Sequence, residues 1–151
     1  MNNLIILVHL FAVIVFLGNI ITEIRWLYQA SKTGSKEIIR FAITEIINGD
    51  KVFTLPCVLL ITVTGSFIYS NFPVSQNHWL LFALISYIFS GIAYTIKVAP
   101  LQKKMLHVVS DKSSTLPSVY KNIYASWNFW GWVALLTSIL ALTLITIRIP
   151  H

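Results

Sequence analysis

Four stretches of the chain are almost continuously apolar: Leu4 to Ile21, Val52 to Phe72, Trp79 to Val98 and Trp130 to Ile147. Each approaches the roughly 20 residues a helix needs to cross the hydrocarbon core. None carries an interior charge except Lys97, at the end of its stretch. Their Leu, Ile, Phe and Trp residues do not alternate with polar ones, and lipid offers no partners to backbone N–H and C=O groups. The pattern predicts an all-α, four-transmembrane-helix bundle.

Between the first two stretches the pattern changes. After Thr33-Gly34, Ser35 is placed to cap a helix. Ile39, Ile43, Ile46 and Ile47 then fall on one face, with Glu37, Arg40, Thr44 and Asn48 on another. A short amphipathic cytoplasmic helix is expected, lying at the interface or extending a neighbouring span. Gly49 is placed to end it and Asp50 to cap the next helix. Pro56 falls in the first turn of span two, Pro100 closes span three, and Pro150 stops span four.

Composition changes the picture by excluding water as the solvent. Of 151 residues, 56% are apolar and 11% charged, with mean hydropathy +0.76. Soluble domains carry about a quarter charged residues. The length predicts a single domain, 1–151. One cysteine, Cys57, excludes an intramolecular disulfide framework.

Lys and Arg number 11 against 5 Asp and Glu, a net charge of +6. Arg25, Lys32, Lys36, Arg40 and Lys51 lie between spans one and two; Lys97, Lys103, Lys104, Lys112 and Lys121 lie at or after the end of span three. The connection from Pro73 to His78 has no Lys or Arg. The positive-inside bias puts both long connections in the cytoplasm and both termini outside. The excess charge therefore reports topology, with no nucleic acid as partner. The first span lacks a basic flank and a small-x-small cleavage site, so it is expected to stay as a helix. Trp26, Trp127, Trp130 and Trp132 are expected at the cytoplasmic interface, and Trp79 at the outer one. Gly18, Gly91 and Gly131 suggest close helix approach in the cytoplasmic half, with Gly65 alone toward the outside.

The chemistry narrows to few residues. His9 lies about 8 Å inside span one, where an imidazole must face the bundle and find a partner. His9, Phe16, Ile20 and Glu23 share a face, a lining suited to a flat macrocycle. His9 is either an axial ligand to haem iron or a histidine bonded to a Ser, Thr or Tyr of a neighbouring helix. His78 is at the interface, while Met105 and His107 belong to the cytoplasmic side, so no second ligand stands out. Asn19, Glu23 and Asp50 could line a proton or cation path; alternatively Glu23 pairs with Arg25 or Lys97, and Asp50 caps a helix. No catalytic serine context, phosphate-binding glycine motif or copper-like set of Met, Cys and His occurs.

The run His9-Leu10-Phe11-Ala12-Val13-Ile14-Val15-Phe16-Leu17-Gly18 belongs to a recognisable set of motifs. The others are Asp50-Lys51-Val52-Phe53-Thr54-Leu55-Pro56, Thr64-Gly65, Val98-Ala99-Pro100-Leu101-Gln102, Trp127-Asn128-Phe129-Trp130-Gly131-Trp132 and Arg148-Ile149-Pro150. In this order the chain resembles domain-of-unknown-function family 2269, small bacterial integral membrane proteins. Its plan is distantly similar to the CopD-like membrane proteins and the HemJ-type protoporphyrinogen oxidases. The HemJ resemblance implies haem b ligated by the first-helix histidine, which maps to His9. The lysine that HemJ carries near the outer start of span three is absent here, where the chain reads His78-Trp79-Leu80-Leu81.

The expected function is a haem-binding multi-pass protein of the bacterial cytoplasmic membrane, acting in redox or electron transfer. The alternative is a non-enzymatic bundle that assembles with a membrane-protein partner or with itself. A small carrier or channel is a third reading.

Overall fold

The computed structural model describes residues 3–70, 77–111, 116 and 118–148. Its helices are α1 (Asn3–Thr33), α2 (Lys36–Gly49), α3 (Leu55–Tyr69), α4 (His78–Ala93), α5 (Ala99–Ser110) and α6 (Ser118–Arg148). Two π-helical turns, Asp50–Thr54 and Tyr94–Val98, join α2 to α3 and α4 to α5 without a break. Four long, apolar rods result, as the sequence predicts. The connection around Pro73, together with Lys112, Pro150 and His151, lies outside the described residues.

Rod length explains the first departure from expectation. The 31 residues of α1 and of α6 each extend about 46 Å, some 16 Å more than the hydrocarbon core. The surplus projects on the basic side, where α2 and α5 complete a second, short bundle with the ends of α1 and α6. Its core contains Leu27, Ile39, Ile43, Ile46, Met105, Val109, Tyr120 and Trp127. Ser35 caps α2 through its side chain, and Gly34 makes the preceding turn at φ +68°, as the sequence suggests. Ile39, Ile43 and Ile46 are buried while Glu37, Arg40 and Asn48 are exposed. The apolar face of α2 therefore meets protein, chiefly α5 and α1. It extends the second rod.

Neither Pro100 nor Gly49 ends a helix. Proline lacks an N–H and its ring crowds the carbonyl four residues back. In both rods a five-residue π turn stands two residues before the proline: Asp50–Thr54 before Pro56, and Tyr94–Val98 before Pro100. The wider turn lets Leu55 N–H reach the Asp50 carbonyl and Ala99 N–H reach the Tyr94 carbonyl. The chain then continues as helix. Asp50 is consequently not an N-cap; its backbone is helical, at φ −58° and ψ −42°.

Packing in the membrane half rests on alanine and serine more than glycine. Along the α4–α6 seam, Ala83, Ser90, Ala134, Ser138 and Ala141 are buried. Ser90 Oγ donates to the Ala134 carbonyl at 2.9 Å and lies 2.8 Å from Ser138 Oγ. A Cβ on Gly18 or Gly91 would meet nothing within 4 Å, whereas one on Gly65 would press on His9. Of the three glycines expected to pack at the cytoplasmic end, Gly131 is buried, with its Cβ position 3.7 Å from Ile24 Cγ1, while Gly18 and Gly91 are exposed; large side chains fill most of that end. Trp127 departs from expectation too. Because α6 begins at Ser118, Trp127 stands inside the core at 1% exposure, while Trp26 and Trp132 are exposed.

Candidate functional site

Two polar constellations occupy the rods. The first is built on His9. The face it shares with Phe16 and Glu23 turns inward, with Phe16 and Glu23 both buried and His9 itself half-buried. His9 Nδ1 lies 2.8 Å from Thr64 Oγ1 on α3. Thr64 Oγ1 also lies 2.5 Å from the Leu60 carbonyl of its own helix. With the Thr64 hydroxyl turned to Leu60, the pair places the ring proton on Nδ1; with that hydroxyl turned to the ring, Nδ1 accepts. Gly65 gives the ring its space, since a Cβ there would lie 3.3 Å from His9 Cε1.

This is the second of the two arrangements expected of His9, a histidine bonded to a threonine of a neighbouring helix; the same pair is compatible with an iron that takes one axial imidazole. A metal-bound histidine donates its other N–H to an acceptor that fixes tautomer and orientation, a part that Thr64 Oγ1 is placed to take. The other two described histidines do not join it: His78 is exposed at the first turn of α4, and His107 is exposed on α5 at the opposite end. Met105 is fully buried in the basic-end core. Among the described residues, no group of three or more His, Cys, Asp and Glu converges as a metal site.

The second constellation lies where the π turns face α1. Asn19 Nδ2 donates to Glu23 Oε1 at 2.5 Å and to Thr54 Oγ1 at 3.0 Å. Gln102 Nε2 donates to Asp50 Oδ2 at 2.9 Å. Glu23, Asp50, Thr54 and Gln102 are all buried, at 6%, 3%, 2% and 3% exposure. Glu23 and the Tyr94 hydroxyl both approach Asp50. The sequence offered Asn19, Glu23 and Asp50 as a group, and the fold brings all three together. Pairing of Glu23 with Arg25 or Lys97 does not form; Arg25 is exposed and Lys97 Nζ stands 5.6 Å from the Trp130 ring centroid. Thr54, Tyr94 and Gln102 were missed, because π turns rotate them relative to the 3.6-residue register.

A cavity of about 220 Å³ adjoins this cluster. Glu23, Thr54, Tyr94 and Trp127 line its polar end, and Phe16, Ile20, Val58 and Ile88 contribute apolar wall. What it offers is an apolar chamber with a few convergent polar groups, the usual character of a small-molecule site.

No curated protein and no solved structure matches the chain. A family model described as a predicted integral membrane protein, DUF2269, matches residues 3–149. Four spanning rods agree with that description, and the match covers nearly the whole length. The chain therefore belongs to the DUF2269 family of integral membrane proteins.

Proposed function

We propose that this membrane bundle binds haem b through His9 and serves in redox or electron transfer. One observation supports the reading: His9, on the inward face of α1, is held at Nδ1 by Thr64 Oγ1 at 2.8 Å, a contact that can orient the imidazole as a ligand. Bound haem would supply one-electron chemistry. The protein's own part is to hold the imidazole, with Thr64 orienting it and Gly65 clearing its edge. In this reading the basic end faces a bacterial cytoplasm, by the positive-inside bias, and His9 stands near the outer face.

The test is the haem content of protein purified in detergent after expression with added haem. About one haem per chain by pyridine haemochrome assay supports the proposal. A colourless protein that takes up no haem on reconstitution overturns it.

A further inference from the structure

Two buried polar atoms stand without hydrogen-bond partners among the described residues, Trp127 Nε1 and Asp50 Oδ1. A buried donor or acceptor left unmet costs free energy; Glu23 and the Tyr94 hydroxyl approach Asp50, so the indole N–H is the one that points to a missing partner. Trp127 is 1% exposed and borders the cavity beside Glu23, Thr54 and Tyr94. Asp50, 3% exposed, lies behind Tyr94, whose hydroxyl approaches it. The cavity thus has an indole N–H seeking an acceptor and, in Glu23, a carboxyl able to take a donor, with Asp50 behind its wall. A hydroxyl group does both.

The cavity also has a side entrance. α1 packs on α3, and α4 packs on α6, but among the described residues no Cα of α3 lies within 8 Å of one on α4. Tyr87 bridges part of that gap, with its hydroxyl 2.9 Å from Thr62 Oγ1 and donating to the Val58 carbonyl at 3.2 Å. Gly91 is part of the α4 wall; it is exposed, and a Cβ there would enter open space. At about 220 Å³ the chamber is smaller than the roughly 300 Å³ at which whole-ligand pockets begin. It is sized for one ring, with an attached tail left in lipid.

We propose that this cavity binds the ring of a lipid-soluble quinol, entering sideways between α3 and α4. A ring hydroxyl accepts from Trp127 Nε1 and donates to the Glu23 carboxyl. The site is separate from His9 and does not depend on bound haem.

The experiment uses the full chain in phosphatidylcholine nanodiscs and a radiolabelled decyl-benzoquinol kept reduced under argon. Saturable binding near one per chain is expected, with the dimethyl ether of the same quinol at least tenfold weaker. Trp127→Phe, which keeps the ring and removes the N–H, should weaken binding about tenfold. Gly91→Leu should abolish it, with helix content and elution volume unchanged. Partition no greater than into empty nanodiscs overturns the proposal, as does equal binding of quinol and ether. Wild-type affinity in both variants overturns it too. If Trp127→Phe does not fold, Gly91→Leu decides, because its added atoms enter open space.

Discussion

Gly65 on α3 lies directly against His9 on α1, so closely that a Cβ would fall 3.3 Å from His9 Cε1. The ring cannot slide away, because Thr64, the preceding residue, holds its Nδ1 at 2.8 Å. Overpacking of this kind costs about 1 kcal/mol or more. Gly65→Ala should therefore lower the thermal midpoint in detergent. Gly18→Ala, which meets nothing within 4 Å, should leave it unchanged or raise it, since alanine favours a helix by about 0.5–1 kcal/mol. Fluorescence-monitored unfolding in one detergent distinguishes the two.

The buried acid at the π turns gives a sharper contrast. Gln102 donates to Asp50 Oδ2, so Gln102→Leu strands a carboxyl that is 3% exposed. Removing one partner of a buried polar pair costs more than removing both. Gln102→Leu should destabilise by about 1–3 kcal/mol. The double variant Asp50→Leu, Gln102→Leu should recover part of that loss. A double-mutant cycle in stability measures it, and simple additivity would contradict the contact.

The face of α2 separates a protein-packed helix from one lying on lipid. Ile43 is 0% exposed and Phe41 67% exposed. Ile43→Ala should cost about 2–5 kcal/mol, as for buried isoleucines generally, whereas Phe41→Ala should change stability by less than about 0.5 kcal/mol. Equal effects would place the apolar face elsewhere.

The spans, their flanking charges, the Ser35 cap and the inward face of His9 were legible in the chain because they depend on local pattern. Apolar length fixes a span whatever its neighbours, and the offsets from His9 to Phe16 and Glu23 keep one face over a continuous helix. What was illegible involved contacts across rods or a change of helical period. Pro100 reads as a stop, yet a π turn two residues earlier lets the helix pass it. That same turn brings Tyr94 toward Asp50. Trp127 resembles an interfacial anchor until α6 is seen to start at Ser118, which carries the indole into the core. The His9–Thr64 bond joins residues 55 positions apart, and no local signal announces it.

The arrangement around Thr64 also bears on ligand strength. Thr64→Val keeps the shape at that position and removes the hydroxyl that meets Nδ1. Loss of such an orienting partner typically weakens metal binding 10–100-fold. Haem titration of the apoprotein should show this weakening for Thr64→Val, while Thr62→Val, whose hydroxyl faces Tyr87, should bind as the wild type does.

The most direct measurement of the central claim is the visible absorption spectrum of wild-type, His9→Ala and His107→Ala proteins purified side by side after haem supplementation. The expected result is a Soret band in the wild type and in His107→Ala, and none in His9→Ala. A band of equal intensity in His9→Ala, or no band in any of the three, would contradict haem ligation by His9.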